Sequence, residues 1–598
     1  MAAVTSGRSV GRARHRATRR RTRRRLIVLG LGVLVVAAWA AFAARSLLRA
    51  EDELEAGRTQ VRAAQRLPPS DLLDGTGDDE LARATARFES AAERLDHPVI
   101  APLRVLPWFG RQLDSITSMV DAAGRATTLG TIALDRINET VGDGVPSGPE
   151  RPAALRQVGA AAEELNAGLA ELDLGPDEAL VGRLHHARTE FAADLARLGD
   201  TLASLGDASR GLAQLLEGPH RYLVLAANNA QMQNGQGMFL DYGVLETAGG
   251  QFNLSTFNSM LDLPRPAEAA ALDPGIAAAW PWMNPNDDWR HLGTSANFAV
   301  TASTAQRMWA NTAQPPIDGV LAVDAVALRA LLVLTGPVTV DGTPLDADSV
   351  VRFVLHDQYV EFLGDESTDE AQAARQDRLR AVARAALDAL DGAATLDLSG
   401  LADLADAARA RHLMAWSSVP AHQRAFEAAH IDGSIPADAA LLSVVNRGGT
   451  KLDWYLDVSA DVTVDSRADA DRVTVSVNLH NTVEPEGEPR YIVGPYPDTG
   501  LVVGQYLGVV TMTLPADAAG VTAEGGPVVV AGEDSGRPLI GVRVLVEPGG
   551  EATAVVRFDM PSGTGRLRVM PSGRARPVEW TLGDQTVRDR RAPTLSWA

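Results

Sequence analysis

Leu26–Ala44 is a run of 19 residues without a charge. As a helix rising 1.5 Å per residue it is roughly 28 Å long, enough to cross a bilayer core. Beyond it the apolar positions take up a helical period. Leu47, Leu54 and Val61 lie seven apart, and Leu81, Ala84, Phe88, Ala91 and Leu95 keep spacings of three and four. Leu155, Val158, Ala162, Leu165, Leu169 and Leu172 do the same. After Gly175-Pro176 the pattern resumes at Leu180, Leu184, Ala187, Phe191, Leu195, Leu198, Leu202 and Leu205, and continues through Leu212 and Leu216. Such a repeat makes a seam that a second helix must cover. The Gly-Pro break predicts an antiparallel helical hairpin. Residues 46–217 are therefore expected as a helical bundle or coiled-coil stalk. The interruption at 97–110 (HPVIAPLRVLPWFG) is apolar and proline-rich. It is expected to pack on the bundle rather than dip into an outer leaflet.

Near residue 220 the period shortens. Tyr222–Ala226 predicts a strand, Asn228–Gly237 a polar glycine-bearing turn, and Met238–Leu245 a second strand. Gly249-Gly250 and Gln251–Thr256 continue the hairpin pattern. Asp318–Val323 predicts another strand, with Asp324 placed to cap a helix that Gly336-Pro337 ends before a strand at Val338–Val340. Strands alternating with helices imply an α/β layer over 218–363. Residues 364–440, mostly Ala-rich, are expected as a helical insertion. From 441 to 598 strict alternation, as in Val473, Val475, Val477 and Leu479 or Val542, Val544 and Val546, predicts an antiparallel β-sandwich. The fold class is thus multidomain α+β: transmembrane helix, helical stalk, central α/β layer and C-terminal sandwich.

Charge gives this layout a direction. Ten arginines and no acid occupy residues 8–25, whereas Glu51, Asp52, Glu53 and Glu55 follow the apolar run. The basic side stays in the cytoplasm, so residues 1–25 are expected as a cytoplasmic tail, 26–44 as a signal anchor, and everything after 45 as extracytoplasmic. Ala41-Phe42-Ala43 resembles a cleavage site, but a signal-peptide core of about 7–15 residues is shorter than this run. The arginines are expected to hold topology and touch anionic headgroups, not nucleic acid. The formal charge is −20, leaving about −30 once the tail is removed. Such a body repels polyanions at long range, so a phosphate or acidic glycan needs a local arginine pocket. There is no cysteine, which excludes disulfides, thiolate metal sites and cysteine nucleophiles. All but one of the 56 basic residues are arginine, which suggests a GC-rich, actinobacterial genome and singles out Lys451.

Three segments resemble a known bacterial family, the domain of unknown function 4012. They are YLVLAANNAQMQNGQGMFLDYGVL (222–245), SANFAVTASTAQRMW with IDGVLAVDAVALRALLVLTGPVTV (295–309 and 317–340), and VVNRGGTKLDWYLDVSADVTV (444–464). The resemblance spans roughly 97–598 and implies a membrane-anchored protein without an established activity. In that family the turn after the paired asparagines usually carries a glutamate and an arginine, where this chain has Gln231 and Gln233. A lysine at the position of Lys451 is shared with it. The stretch 317–340 is also similar to part of the LytR-CpsA-Psr family, which attaches glycopolymers to peptidoglycan from a polyprenyl-pyrophosphate donor.

The candidate ligand-binding residues are Asn228, Asn229, Gln231, Gln233, Gly237, Arg290, Arg307 and Lys451. Amides hydrogen-bond a sugar or a backbone but supply no acid-base capacity, and a glycine serves backbone conformation. A pyrophosphate donor needs forked arginines and a carboxylate for a metal or proton. Arg290, Arg307, Arg329 and Arg352 with Asp241, Asp318, Asp324 and Asp357 are the inventory, though Asp324 reads better as a helix cap and Arg329 as surface. Lys451 is expected to pair across an interface between the α/β layer and the sandwich. Trp280, Trp282 and Trp289 with Asn284 and Asn286 form an aromatic–amide cluster that suits sugar and equally a lid packed on the core. His185-His186 point to different helix faces and make a poor metal pair; no metalloprotease, serine-hydrolase, Walker or dinucleotide motif is present. No catalytic residue is assigned, and no metal or cofactor is expected beyond a divalent cation in the transferase alternative. The expected function is binding or organising cell-wall glycan or its lipid-linked precursor. The alternatives are a metal-dependent glycopolymer phosphotransferase resembling the LytR-CpsA-Psr family, and a scaffold that self-associates through its stalk.

Overall fold

The computed structural model describes residues 42–64, 66–67, 76–141, 144–255, 257–266, 269–362, 368–392, 395–396, 398–496 and 499–597. The basic tail and most of the apolar run lie outside them. Among the described residues no helix is long and apolar enough to cross a membrane. The chain forms two compact units, residues 1–136 with 163–202, and residues 137–162 with 203–598.

The first unit is helical. A helix at 42–64 is followed by α1 (Thr76–Leu95), a short turn of helix at Ala101–Arg104, and α2 (Pro107–Val141). The spacing of three and four works as expected, because Ala84, Phe88, Ala91 and Leu95 are buried with Ala50 and Val120. Leu47, Leu54 and Val61 pack against that cluster. Gly57 sits where a Cβ would lie 2.8 Å from the Phe88 ring, so the helices approach closely there. The segment 97–110 departs from the expectation of packing. Ile100 is buried, but Val105, Leu106, Trp108 and Phe109 are exposed. Their side chains follow a sharp reversal in which Gly110 closes onto the Arg104 carbonyl, and this turns them outward. Helices α3 (Glu150–Ala170) and α4 (Gly182–Glu217), which flank the Gly175-Pro176 break, belong to this unit only over 163–170 and 182–202. Gly175 there has a φ of +70°.

The second unit is built on three large sheets, with two-stranded ones at Val145–Pro146 with Thr395–Leu396 and at Val338–Val340 with Thr343–Leu345. The central one has the order β5-β4-β1-β2-β3: Leu413–Ser417, Gly319–Asp324, His220–Gln233, Gln236–Ala248 and Gln251–Leu254. Only β1 and β4 run parallel. Leu223 and Leu225 bury one face of β1 against α5 (Phe298–Ala310), through Phe298, Ala302, Ala305 and Trp309. Asn297 caps that helix and Asp324 caps α6 (Ala325–Thr335), which Gly336 ends at a φ of +84°. The cap expected at Asp324 is therefore present. Two features differ from expectation. Residues 364–440, expected as a helical insertion, do hold α7 (Asp369–Gly392), but they also supply β5 at the sheet edge. The polar segment 228–237 is not a turn: β1 runs to Gln233 and only Asn234-Gly235 turn.

Residues 439–597 form the other two sheets, each six-stranded. Val444, Val510 and Val542 of one share a single core with Val475, Val556 and Phe558 of the other. The alternation read from Val473 to Leu479 buries all four of its residues. The sheets are mixed rather than purely antiparallel, because Ala439–Asn446 pairs parallel with Arg566–Met570, and Leu456–Ser466 with Glu579–Leu582. Phe558 is fully buried in this core. Its replacement by Ala should cost about 3–5 kcal/mol, whereas Val502→Ala, at an exposed position, should stay within about 0.5 kcal/mol. Denaturant titration followed by tryptophan fluorescence measures both.

Candidate functional site

The hairpin β1–β2 carries most of the candidate residues, and its register explains their placement. Asn228 pairs with Met238, yet Met232 pairs with the adjacent Gly237, so residues 229–231 have no opposite partner. This bulge closes on Gly237, where a Cβ would lie 2.5 Å from the Asn228 carbonyl carbon. Gly237 is thus a close-approach glycine. Gly235, with a φ of +81°, makes the turn.

The bulge aims polar groups into protein. Asn228 Nδ2 donates to the Tyr359 hydroxyl at 2.5 Å, while its Oδ1 accepts from the Ala230 amide. Asn229 Nδ2 donates to Asp324 Oδ2 at 2.7 Å and to the Gly573 carbonyl at 2.8 Å. Gln231 Oε1 accepts from Lys451 Nζ at 2.7 Å. The Met232 amide donates to Asp453 Oδ2 at 3.0 Å. Asn234 accepts from the Thr511 hydroxyl at 3.0 Å and donates to the Thr294 carbonyl. Asn228, Asn229, Gln231 and Gln233 are all buried. Both amide atoms of Gln233, and both of Gln236, have no hydrogen-bond partner among the described residues.

Asp453 organises the far side. Its carboxylate also accepts from Asn446 Nδ2 at 2.8 Å, the Tyr506 hydroxyl at 3.1 Å and Arg574 Nη1 at 3.0 Å. Burial pushes this carboxyl up, and Arg574, the Met232 amide and Asn446 pull it back. Beside it, Lys451 is 2 % exposed. Its ammonium lies 5.4 Å from the Tyr359 ring and 5.7 Å from the Tyr491 ring. The Arg375 guanidinium lies 5.4 Å from the same Tyr359 ring and donates to Gln358 Oε1 at 3.2 Å. Burial and then Arg375 push Lys451 down to about 7, against the pull of Asp241 and Asp453.

Arg290 and Arg307 are not part of this cluster's bonding. Arg290 forks onto Asp288 at 3.0 and 2.6 Å. Although burial raises the Asp288 carboxyl, Arg290 holds it at about 2. Arg307 donates to the Ala271 carbonyl and the Thr304 hydroxyl, both at 2.9 Å. Arg352 pairs with Asp357, and Arg329 is exposed. Asp324 spends Oδ1 on two helix amides and Oδ2 on Asn229 and His412 Nδ1, the latter at 2.6 Å. Asp318 holds the Arg221 amide and His220. No group of three or more His, Asp and Glu among the described residues is placed to hold a metal ion. Of the tryptophans, Trp280 and Trp289 are buried and Trp282 is 38 % exposed.

Sequence reading missed Asp453, Arg574, Tyr506, Tyr359 and Arg375. Asp453 stands two residues after Lys451, and that proximity was the available signal. Arg574 follows a glycine in an irregular segment and carries none.

The fold and the site define a class: an α+β unit whose bulged polar hairpin is sealed against a pair of sheets. A family model described as "Protein of unknown function (DUF4012)" matches residues 217–359. The resemblance to that family therefore holds over the hairpin and the central layer; 444–464, with Lys451, falls outside the match. No curated protein and no solved structure matches the chain, and the similarity to the LytR-CpsA-Psr family gains no support from either.

The Lys451 environment has a pH signature. With a folded value of about 7 and an ordinary one of 10.5, the unfolded chain holds a proton between these pH values that the folded chain lacks. Raising pH through that window therefore favours the fold, by up to about 1.4 kcal/mol per pH unit. Thermal midpoints at pH 7, 8 and 9 should rise in the native chain, and Lys451→Met should remove this component of the rise.

Proposed function

We propose that the chain is a single-pass extracytoplasmic protein of the bacterial cell envelope, tethered through residues 26–44, that organises the envelope by binding rather than by chemistry. The observation that carries this reading is the engagement of Asn228, Asn229, Gln231 and the two arginines. The bulge amides seal the hairpin against the sheet pair, and Arg290 and Arg307 are satisfied separately, by Asp288 and by Ala271 with Thr304. A glycopolymer phosphotransferase needs arginines and a free carboxylate converging on one reacting group. The dispersal of these side chains weighs against that alternative, and against the divalent cation it would use.

Assembly is the mode of binding that the helices favour. Leu205 and Leu212 lie seven residues apart on α4 and are 39 % and 41 % exposed. An apolar repeat of this spacing suits a second helix, from another copy or an envelope partner. A second reading, contact with cell-wall glycan or its lipid-linked precursor, is favoured by Trp282. Its indole N–H donates to the Val529 carbonyl at 3.1 Å, and the Arg447 guanidinium lies 4.7 Å from its ring. A partly exposed aromatic held this way presents a flat platform with polar neighbours.

Native mass spectrometry of the full-length protein, extracted from its own membrane in mild detergent, tests the proposal. The expected result is a multimer or a partner-bound mass that Leu205→Ser with Leu212→Ser reduces to monomer. A monomer carrying a polyprenyl phosphate that is lost in Arg290→Ala and Arg307→Ala would overturn it in favour of the transferase. A monomer carrying neither would remove the assembly mode.

A further inference from the structure

The first unit ends in an apolar surface that its own packing does not use. Val105 is 81 % exposed, Trp108 54 %, Leu106 49 % and Phe109 46 %. Trp108 and Phe109 meet edge to face, with ring centroids 4.8 Å apart.

The packing of the helices fixes which end of the unit this is. Glu53 pairs with Arg87 at 2.9 Å and Arg94 at 3.4 Å, and Gly57 abuts Phe88. Gln60 lies beside Arg83. Increasing numbers on one helix thus meet decreasing numbers on the other, and the two run antiparallel. Continued by one turn, this places Leu95 beside Ala50, with which it is buried, and sends the chain after it toward the start of the helix at 42–64. The chain reverses there, since Arg104 Nη2 reaches the Leu95 carbonyl at 3.3 Å and Asp96 Oδ1 at 2.7 Å. Helix α2 sets out from the same end, with Ile116 and Val120 packed on the Leu95 cluster. So Val105–Phe109 sit at the end of the unit where the helix at 42–64 begins, its first residues being the last of the uncharged run Leu26–Ala44. Phe42 and Leu48, 63 % and 62 % exposed, are at this end too. Arg104 and Arg111 flank the patch in sequence, and Arg45 and Arg49, in the first turns of the helix at 42–64, are exposed with them.

We infer that Val105, Leu106, Trp108 and Phe109 form a second membrane contact, inserted at the headgroup level of the outer leaflet beside the anchor. This rests on the anchored reading above. Aromatic rings with adjacent arginines are the residue set that lies stably at a bilayer interface, with the rings toward the acyl chains and guanidinium groups on anionic headgroups. A helix crossing alone leaves the outer unit free to tilt about one point. A second contact fixes its orientation to the membrane.

The chain has no cysteine, so a single introduced one carries a unique label. The full-length protein is reconstituted into nanodiscs of phosphatidylglycerol and phosphatidylethanolamine. A nitroxide is placed at Val105→Cys, at Val36→Cys in the apolar run, or at Ala82→Cys on the exposed side of α1, and its collisions with oxygen and with a neutral nickel chelate are compared. The expected result is an oxygen-to-nickel ratio several-fold higher at 105 than at 82, and higher still at 36. A ratio at 105 equal to that at 82, with 36 in lipid, overturns the second contact and leaves the anchor standing. An aqueous ratio at 36 overturns the anchor and this inference with it. A label at 105 shielded from both reagents indicates a protein occupant and overturns the lipid assignment.

Discussion

The buried carboxylate of Asp453 is the constraint on which the second unit depends. A carboxylate removed from water costs several kcal/mol unless charge and hydrogen bonds replace the solvent. Here the replacements come from four separate places in the chain: the Met232 amide of the hairpin, Asn446, the Tyr506 hydroxyl and the Arg574 guanidinium. Arg574 in turn donates to the Leu456 carbonyl at 2.8 Å. Each donor must be in place for the charge to be tolerated, so the carboxylate couples the tip of the hairpin to both sheets behind it.

That coupling decides what the hairpin can do. A glycine-bearing polar loop on a surface can close over a ligand. A bulge whose amides are engaged by Tyr359, Asp324, Gly573 and Lys451 is part of a packed interior. Glutamines at 231 and 233 suit this. Gln231 gives Lys451 a neutral acceptor without bringing a further charge into a site that already holds Lys451, Asp453 and Arg574, and Gln233 lies beside Gly293. The chemistry of the hairpin is that of specifying one arrangement of layers, which leaves function to the surfaces.

Much of the fold was legible because periodicity reports burial. Val473 to Leu479 alternate and are buried, Ala84 to Leu95 keep helical spacing and are buried, and Asp324 caps its helix as its position before an apolar run suggested. What was not legible depended on partners distant in sequence. Residues 228–233 look like a turn because they are polar and followed by glycines; they are strand where Asp453, Asp324 and Tyr359, more than 90 residues away, take up Met232, Asn229 and Asn228. The Ala-rich stretch 364–440 hid the five-residue strand Leu413–Ser417, which exists because the edge of Gly319–Asp324 is there to pair with it. Val105 to Phe109 have the composition of a packed segment, and only the Arg104–Gly110 reversal turns them outward. Of the candidate residues, Asn228, Asn229, Gln231 and Lys451 come together, and Gly237 shapes them, while Gln233 lies beside Gly293. Arg290 and Arg307 were chosen for their charge type, and charge type alone does not say where a guanidinium points.

Amide hydrogen exchange over residues 228–236 tests the central claim most directly. If the bulge is held in the interior by Asp453, its amides are protected to the same degree as those of Ala439–Asn446. Asp453→Asn should release the hairpin amides ahead of that strand. Exchange at 228–236 at the rate of an exposed turn, in the unaltered protein, would contradict the account and return these residues to the role of a ligand loop.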